Sequence, residues 1–429
     1  MNMNRISKNR IDRTLIDKDM ATHKLSNNDN SRRNFVKGAA AGWLLVNTIG
    51  NSAMASSNLF ASPKVSKQKK VVWIFLRGAL DSLHTVIPIA DPNLHSLRNS
   101  ILAPIKEKLL TIDGGFALHP DLPFLHKLYK KKQMSPVVAV ASGYRSRSHF
   151  DAQDQMESGL NTTEHENGWL ARALNQVQGN GVAIARSVPI ALRQNTANAQ
   201  RAETWYPSRF PEADEDLLGR LTSLYQNDTA LNQNLATVIA QKENPNMQMQ
   251  EKQSSNFAYL AKKTGELLAK NDSTMCAMLE FGGWDTHNNQ QGRLSRLFSQ
   301  LDKGIQNLKN SLGPAWDDTL VIVNTEFGRT AAVNGTRGTD HGTASNMFFI
   351  GGGLNSFSQT NAPSGLSHHQ MLGGQVHGKW PGLAKNQLFE GRDLMPTSDV
   401  RQWIAYALSQ HWQLSGKQLQ RVFPDISMV

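Results

Sequence analysis

Apolar positions along this chain fall into two patterns that trade places repeatedly. Short, predominantly apolar runs occur at 70–76, 136–141, 274–281, 319–325 and 346–350. Runs of that length with no polar alternation are the mark of strands covered on both faces. Between them lie longer stretches with helical spacing, at 94–110, 121–132, from 149 to 158, 255–270 and 292–312. The last carries Leu294, Leu297, Phe298, Leu301, Ile305 and Leu308 on one stripe. A further strand is expected over 185–193. Strands alternating with helices predict an α/β fold, with a mostly parallel central sheet and helices on both faces.

Two regions break the pattern. Residues 195–255 are polar, with Asn-Pro-Asn and Met-Gln-Met-Gln-Glu-Lys-Gln near their end, and read as a partly helical insertion. Residues 56–69 are Ser/Lys-rich and read as a linker ahead of a single domain over 70–429.

The first 55 residues have a different organisation. Ser31-Arg32-Arg33-Asn34-Phe35-Val36-Lys37 has the twin-arginine form, a modestly apolar Gly/Ala-rich stretch follows, and Ala53-Met54-Ala55 has the small-x-small form of a cleavage site. The apolar stretch is too short for a stable membrane span. The order of the three parts predicts a twin-arginine signal peptide over 1–55. It implies passage through the Tat translocase, cleavage after Ala55 and a periplasmic or secreted destination. That pathway carries folded proteins, often with a cofactor already inserted.

Charge and cysteine content narrow the classes. The net charge of +11 includes nine Lys/Arg and four Asp/Glu within the first 55 residues, which leaves about +6 for the rest. No basic run is interleaved with aromatics, so nucleic acid is not an expected partner, whereas a mild positive field favours anionic substrates. Cys276 is the only cysteine, which rules out an internal disulfide, a CxxC metal site or a cysteine-held Fe–S cluster.

In open α/β sheets functional side chains gather just beyond the carboxyl ends of strands. Five polar clusters stand near the predicted strands. Asp81 follows strand 70–76; Arg145, Arg147, Ser148 and Asp151 follow 136–141; Asp285 and His287 follow 274–281. Glu326 and Arg329 follow 319–325, and Asp340-His341 precedes 346–350. Carboxylates and imidazoles converging from several strand ends suit one or two divalent ions, Zn or Mn ahead of Ca or Mg. Each element also has a plain alternative. Asp81 would bond turn amides, Ser148 with Asp151 would cap a helix, and Asp285-Thr286-His287 and Asp340-His341 would be loop tips. Ser148 at a helix N-terminus, flanked by Arg145 and Arg147, also stands where an anion binds and a nucleophile is favoured.

The segments Arg-Gly-x-x-Asp around Asp81, Ser-Arg-Ser-His-Phe-Asp-Ala-Gln-Asp at 146–154 and Gly-Gly-Trp-Asp-Thr-His at 282–287 resemble a family of bacterial secreted proteins, domain-of-unknown-function family 1501. Glu-Phe-Gly-Arg-Thr at 326–330, Gly-Thr-Asp-His-Gly at 338–342 and Trp-Pro-Gly-Leu at 380–383 extend the resemblance over about 70–425. That family is grouped with the alkaline-phosphatase-like phosphatases and sulfatases. The resemblance implies that Asp81 binds one metal, Asp285 the other, and that Ser148 is the nucleophile with Arg145 or Arg147 holding the anion. It implies Glu326 as a replacement carboxylate ligand, His341 as the last metal histidine, and Asp340 as an additional ligand or a support behind one. The pattern departs at Asn289 and Phe327, where histidines would stand, and His287 lies two residues early. The expected function is an exported metal-dependent hydrolase of phosphate or sulfate esters, small or polymeric. The alternative is a non-catalytic secreted binding or assembly module that keeps the fold.

Overall fold

The computed structural model describes residues 68–194, 202–207, 224–225, 256–357 and 371–426. By contacts the chain divides into one unit of Pro63–Glu212 with Lys242–Val429 and another of Met1–Ser62 with Ala213–Gln241. The expected signal peptide over 1–55 lies outside the described residues, as do most of the linker and most of the 195–255 insertion.

The larger unit is built around an eight-stranded sheet. In chain order its strands are β1 (Lys70–Arg77), β2 (Val86–Ile87), β3 (Leu110–Ile112), β4 (Phe116–Leu118), β5 (Met134–Ala141), β6 (Asn180–Ile184), β7 (Ala202–Thr204), β8 (Thr274–Gly282), β9 (Thr319–Thr325), β10 (Ser345–Ile350) and β11 (Ser398–Asp399). The large sheet runs β11-β5-β10-β9-β1-β8-β6-β7, and β2, β4 and β3 form a small separate sheet. β1 pairs parallel with β8 and β9, and β8 with β6, whereas β10 pairs antiparallel with β9 and β5. The sheet is mostly parallel, and one reversed strand lies within it.

Both faces of the sheet are covered, which is why its strands are apolar without alternation. Val71, Trp73 and Phe75 of β1 join one core with α4 (Trp169–Val177), α7 (Val400–His411) and α8 (Gly416–Val422). Val72, Ile74 and Leu76 join the other with α2 (Pro123–Lys130), α5 (Phe257–Lys270) and α6 (Gln290–Leu312). On α6 the buried residues Leu294, Phe298, Leu301, Ile305 and Leu308 recur every three or four positions, the stripe that a helix needs to lie on a sheet. Among the described residues no helix is long and apolar enough to cross a membrane.

Two expectations are corrected. The helix expected over 94–110 stops at Leu102 (α1, Leu94–Leu102), then tightens into a 3-10 turn and enters β3. No strand occupies 185–193, where Pro189 leads into the 3-10 turn Ile190–Leu192. The strand is the preceding segment Asn180–Ile184.

Candidate metal centre

β1, β5, β8 and β9 all run in one direction, so their carboxyl ends meet at one edge of the sheet. Because β10 runs the opposite way, the loop that feeds it starts from that same edge and brings His341 there. Close backbone approaches fix the loops. At Gly78, with φ +117°, an added Cβ would lie 2.6 Å from the Asp285 amide nitrogen. At Gly338 it would lie 2.2 Å from the His287 carbonyl.

Four side chains converge. His341 Nε2 lies 3.0 Å from His149 Nε2 and 3.1 Å from His287 Nε2. Asp285 Oδ1 lies 3.0 Å from His287 Nε2 and 3.2 Å from His341 Nε2, and Asp285 Oδ2 lies 3.5 Å from His149 Nε2. His149, Asp285 and His341 by themselves satisfy the spacing of a metal-ligand group. His149 opens α3 (His149–Ser158), whereas Asp285, His287 and His341 come from loops.

The far side of each ring identifies what these atoms are arranged to hold. His149 Nδ1 lies 2.8 Å from Glu326 Oε1, His287 Nδ1 3.1 Å from Asp340 Oδ1, and His341 Nδ1 3.0 Å from the Arg147 carbonyl. All three partners only accept, so each ring carries a proton on Nδ1 and leaves Nε2 as the atom facing the cluster. Nε2 atoms and a carboxylate oxygen this close need positive charge between them, which either protons or a metal cation supplies. Imidazoles backed by carboxylates or a carbonyl are the usual support of metal-ligating histidines. A tetrahedral zinc shell with Zn–N of about 2.0–2.1 Å has edges of about 3.3 Å, close to the 3.0–3.5 Å contacts among His149, Asp285 and His341. The residues present fit a divalent transition metal.

The electrostatics agree with this demand for positive charge. Hydrogen bonds that His149 donates to Asp285 and Glu326 raise it to about 9 against the desolvation that would lower it, so a metal would replace the proton on its Nε2. Burial pushes Asp285 up, but His149, His341 and Arg329 outweigh it and hold the carboxyl far below its usual range. Glu326 is likewise held low against its burial, by His149, Gln153 and Thr325. Its Oε1 also accepts from the Gly78 amide at 2.8 Å and from Gln153 Nε2 at 2.9 Å. Arg329 is buried; its Nη1 meets Asp285 Oδ1 at 2.5 Å and its other nitrogens bond Thr339, which fixes the carboxylate in place.

Of the residues singled out in the sequence, Asp285, His287 and His341 come together in the cluster. Glu326 and Asp340 stand behind His149 and His287, their oxygens on Nδ1 atoms. Asp81 is elsewhere: fully buried, its Oδ2 accepts from Arg98 Nη1 at 2.6 Å and Gln290 Nε2 at 2.5 Å. Gln290 Oε1 in turn accepts from Thr286 and Thr339, so Asp81 braces the loops that carry the cluster. Ser148 is the N-cap residue of α3, half-buried, and its side chain makes no capping bond. Arg147 contributes its carbonyl, presented by a left-handed φ of 59°, while its guanidinium pairs with Glu390 at 2.5 Å and Asp393 at 2.9 Å. Arg145 donates from Nη1 to the carbonyls of Ser142 and Tyr144. The sequence pattern assigns His149 no role, although it directly follows Ser148 as the first residue of α3. Its signal is an acceptor-rich neighbourhood that only the fold assembles.

Solved structures similar to this chain include Ps i-CgsB in complex with k-i-k-neocarrahexaose, at 9% identity over 82% of this chain and 74% of that one, with a TM-score of 0.36. A phosphonate monoester hydrolase of Agrobacterium radiobacter has 12% identity over 66% and 68%, TM-score 0.32. A protein in the alkaline phosphatase superfamily from Vibrio parahaemolyticus has 12% identity over 67% and 60%, TM-score 0.30. At these scores the likeness assigns no residue a role. No curated protein matches the chain. The pattern of one family, described as "Protein of unknown function (DUF1501)", matches residues 124–423 and takes in β5, the cluster and the C-terminal helices. The chain belongs to the DUF1501 family.

Proposed function

We propose that this chain is a metal-dependent hydrolase of phosphate or sulfate esters, with a single metal centre on His149, Asp285, His287 and His341 and Ser148 as nucleophile. The observation that carries the reading is the convergence of three Nε2 atoms and the Asp285 carboxylate, in contacts of 3.0–3.5 Å, with each Nδ1 already committed to an acceptor. Three imidazoles with one carboxylate favour Zn or Mn over the harder Ca and Mg. When bound, such an ion polarises the phosphoryl or sulfuryl oxygen of an ester.

The chain's own residues do the rest. Glu326, Asp340 and the Arg147 carbonyl hold the three rings, and Arg329 holds Asp285. Ser148 lies next to a ligand at the amino end of α3, where the helix dipole favours negative charge on its oxygen. Export through the twin-arginine pathway is part of the proposal, with the metal loaded before the folded chain is exported.

The test joins metal analysis with turnover of aryl phosphates and aryl sulfates. The reading expects one bound Zn or Mn, loss of the metal in Asp285→Asn, and loss of turnover with the metal kept in Ser148→Ala. A metal-free, inert protein sinks it. A protein that binds metal but turns over neither class of ester would instead support the non-catalytic binding module.

A further inference from the structure

An ester anion beside a metal needs fixed positive donors, and the arginines around this centre differ in what they have left to give. Arg329 is buried and its three guanidinium nitrogens are spent on Asp285 and Thr339. Arg147 is paired with Glu390 and Asp393, and Arg145 gives its Nη1 to the carbonyls of Ser142 and Tyr144 in its own loop, with no bond to a cluster residue. Arg392 is different. Its Nη2 donates to the carbonyl of the cluster residue His341 at 3.0 Å, and its Nη1 lies 3.4 Å from Asp393 Oδ1, beyond a good hydrogen bond. Its side chain is 42% exposed.

The backbone that carries Arg392 is fixed. Its amide donates to Phe389 O at 3.1 Å, and its carbonyl accepts from Ala331 N at 3.0 Å, two residues beyond Arg329. Asp393 is bridged to Thr330 in the same way. A guanidinium anchored by one nitrogen, on a rigid segment beside a cluster residue and open to solvent, presents its remaining N–H groups as a planar fork. That geometry matches the oxygens of phosphate or sulfate.

We infer that Arg392 binds the anionic oxygens of the substrate at the mouth of the metal centre. This rests on the proposed metal site and names the arginine that serves it. One His341-facing nitrogen orients the guanidinium, and the others receive the anion.

The test measures binding of inorganic phosphate and sulfate to the zinc-loaded protein by calorimetry, with zinc affinity measured separately. Arg392→Gln keeps a donor for the His341 carbonyl, so zinc affinity should stay within about twofold, while phosphate binding should weaken about tenfold or more. Arg392→Lys should recover part of the loss, since it restores charge without the fork. Unchanged phosphate affinity in Arg392→Gln, in a wild type that binds both zinc and phosphate, overturns this inference alone. Loss of zinc in Arg392→Gln also overturns it, by making Arg392 a support of His341. A wild type that takes no zinc contradicts the proposed metal centre itself, and the inference with it.

Discussion

Replacing Arg98 by Leu should be among the most damaging single changes in the chain, although Arg98 touches none of the four clustered side chains. Arg98 and Asp81 are both fully buried, with Nη1 and Oδ2 2.6 Å apart. The same guanidinium donates to the carbonyls of Ala331 and Thr330, each at 2.6 Å. Removing one partner of such a pair leaves an uncompensated buried charge, which costs about 3–5 kcal/mol. The orphaned carbonyls add to that cost without adding linearly. The effect has a pH signature. Burial pushes the Asp81 carboxyl up, and the charge and hydrogen bond of Arg98 now outweigh it and hold it low. Without Arg98 burial wins, and the folded variant takes up a proton that the unfolded chain releases above about 3.9. Between that value and the raised one, the variant loses stability as pH rises. Its deficit is therefore largest near neutrality and shrinks toward pH 4. Urea denaturation of wild type, Arg98→Leu, Asp81→Asn and the double variant at pH 5 and pH 7.5 measures both the loss and the coupling. A loss below about 1 kcal/mol, the range of an exposed pair, would refute the reasoning. So would a loss with no dependence on pH.

Two further outcomes are expected from the same geometry. Glu326→Gln removes the carboxylate that orients His149 and accepts from Gly78 and Gln153, so metal affinity should fall about 10–100-fold, read by competition with a chromophoric chelator. His411 is fully buried with Nε2 on the Lys70 carbonyl at 2.9 Å, and burial pushes it down to about 3. Its contribution is intact above the unfolded value near 6.5 and is lost as pH falls toward 3. His411→Gln should therefore remove about 1.4 kcal/mol per pH unit from the acid-side slope of stability across that window, seen by denaturation at several pH values.

The parts of the fold that announce themselves are those whose burial is uniform. β1 and β9 have continuous apolar centres, Val71–Leu76 and Leu320–Val323, because helices cover both sides, and α6 shows its stripe because its other face meets solvent. α7 gives no such signal, since nearly every residue from Val400 to His411 is buried and no period survives. β6 is five residues long and begins Asn-Gly, a poor strand sequence, and it is a strand because it pairs with β8. The 185–193 run is apolar for a different reason, as Ile190, Ala191 and Leu192 pack into the core from a turn.

The site is legible to the same partial degree. Asp285, His287 and His341 stand out as acidic and imidazole groups in glycine-rich loops at strand ends. His149 is hidden because Ser148 beside it already has a capping explanation. The reversed direction of β10, which brings His341 to the edge where the parallel strands end, has no sequence signature. Nor does the pairing of Asp81 with Arg98, seventeen residues on in a different element. A carboxylate directly after a strand reads the same whether it faces a metal or, as Glu326 does, the back of an imidazole.

The most direct test of the central claim is an anomalous-scattering map from crystals grown with one equivalent of zinc. The account predicts one strong peak, with the Nε2 atoms of His149, His287 and His341 and an oxygen of Asp285 at about 2.0–2.2 Å. A map with no peak there, or with its peak at Asp81, would contradict it.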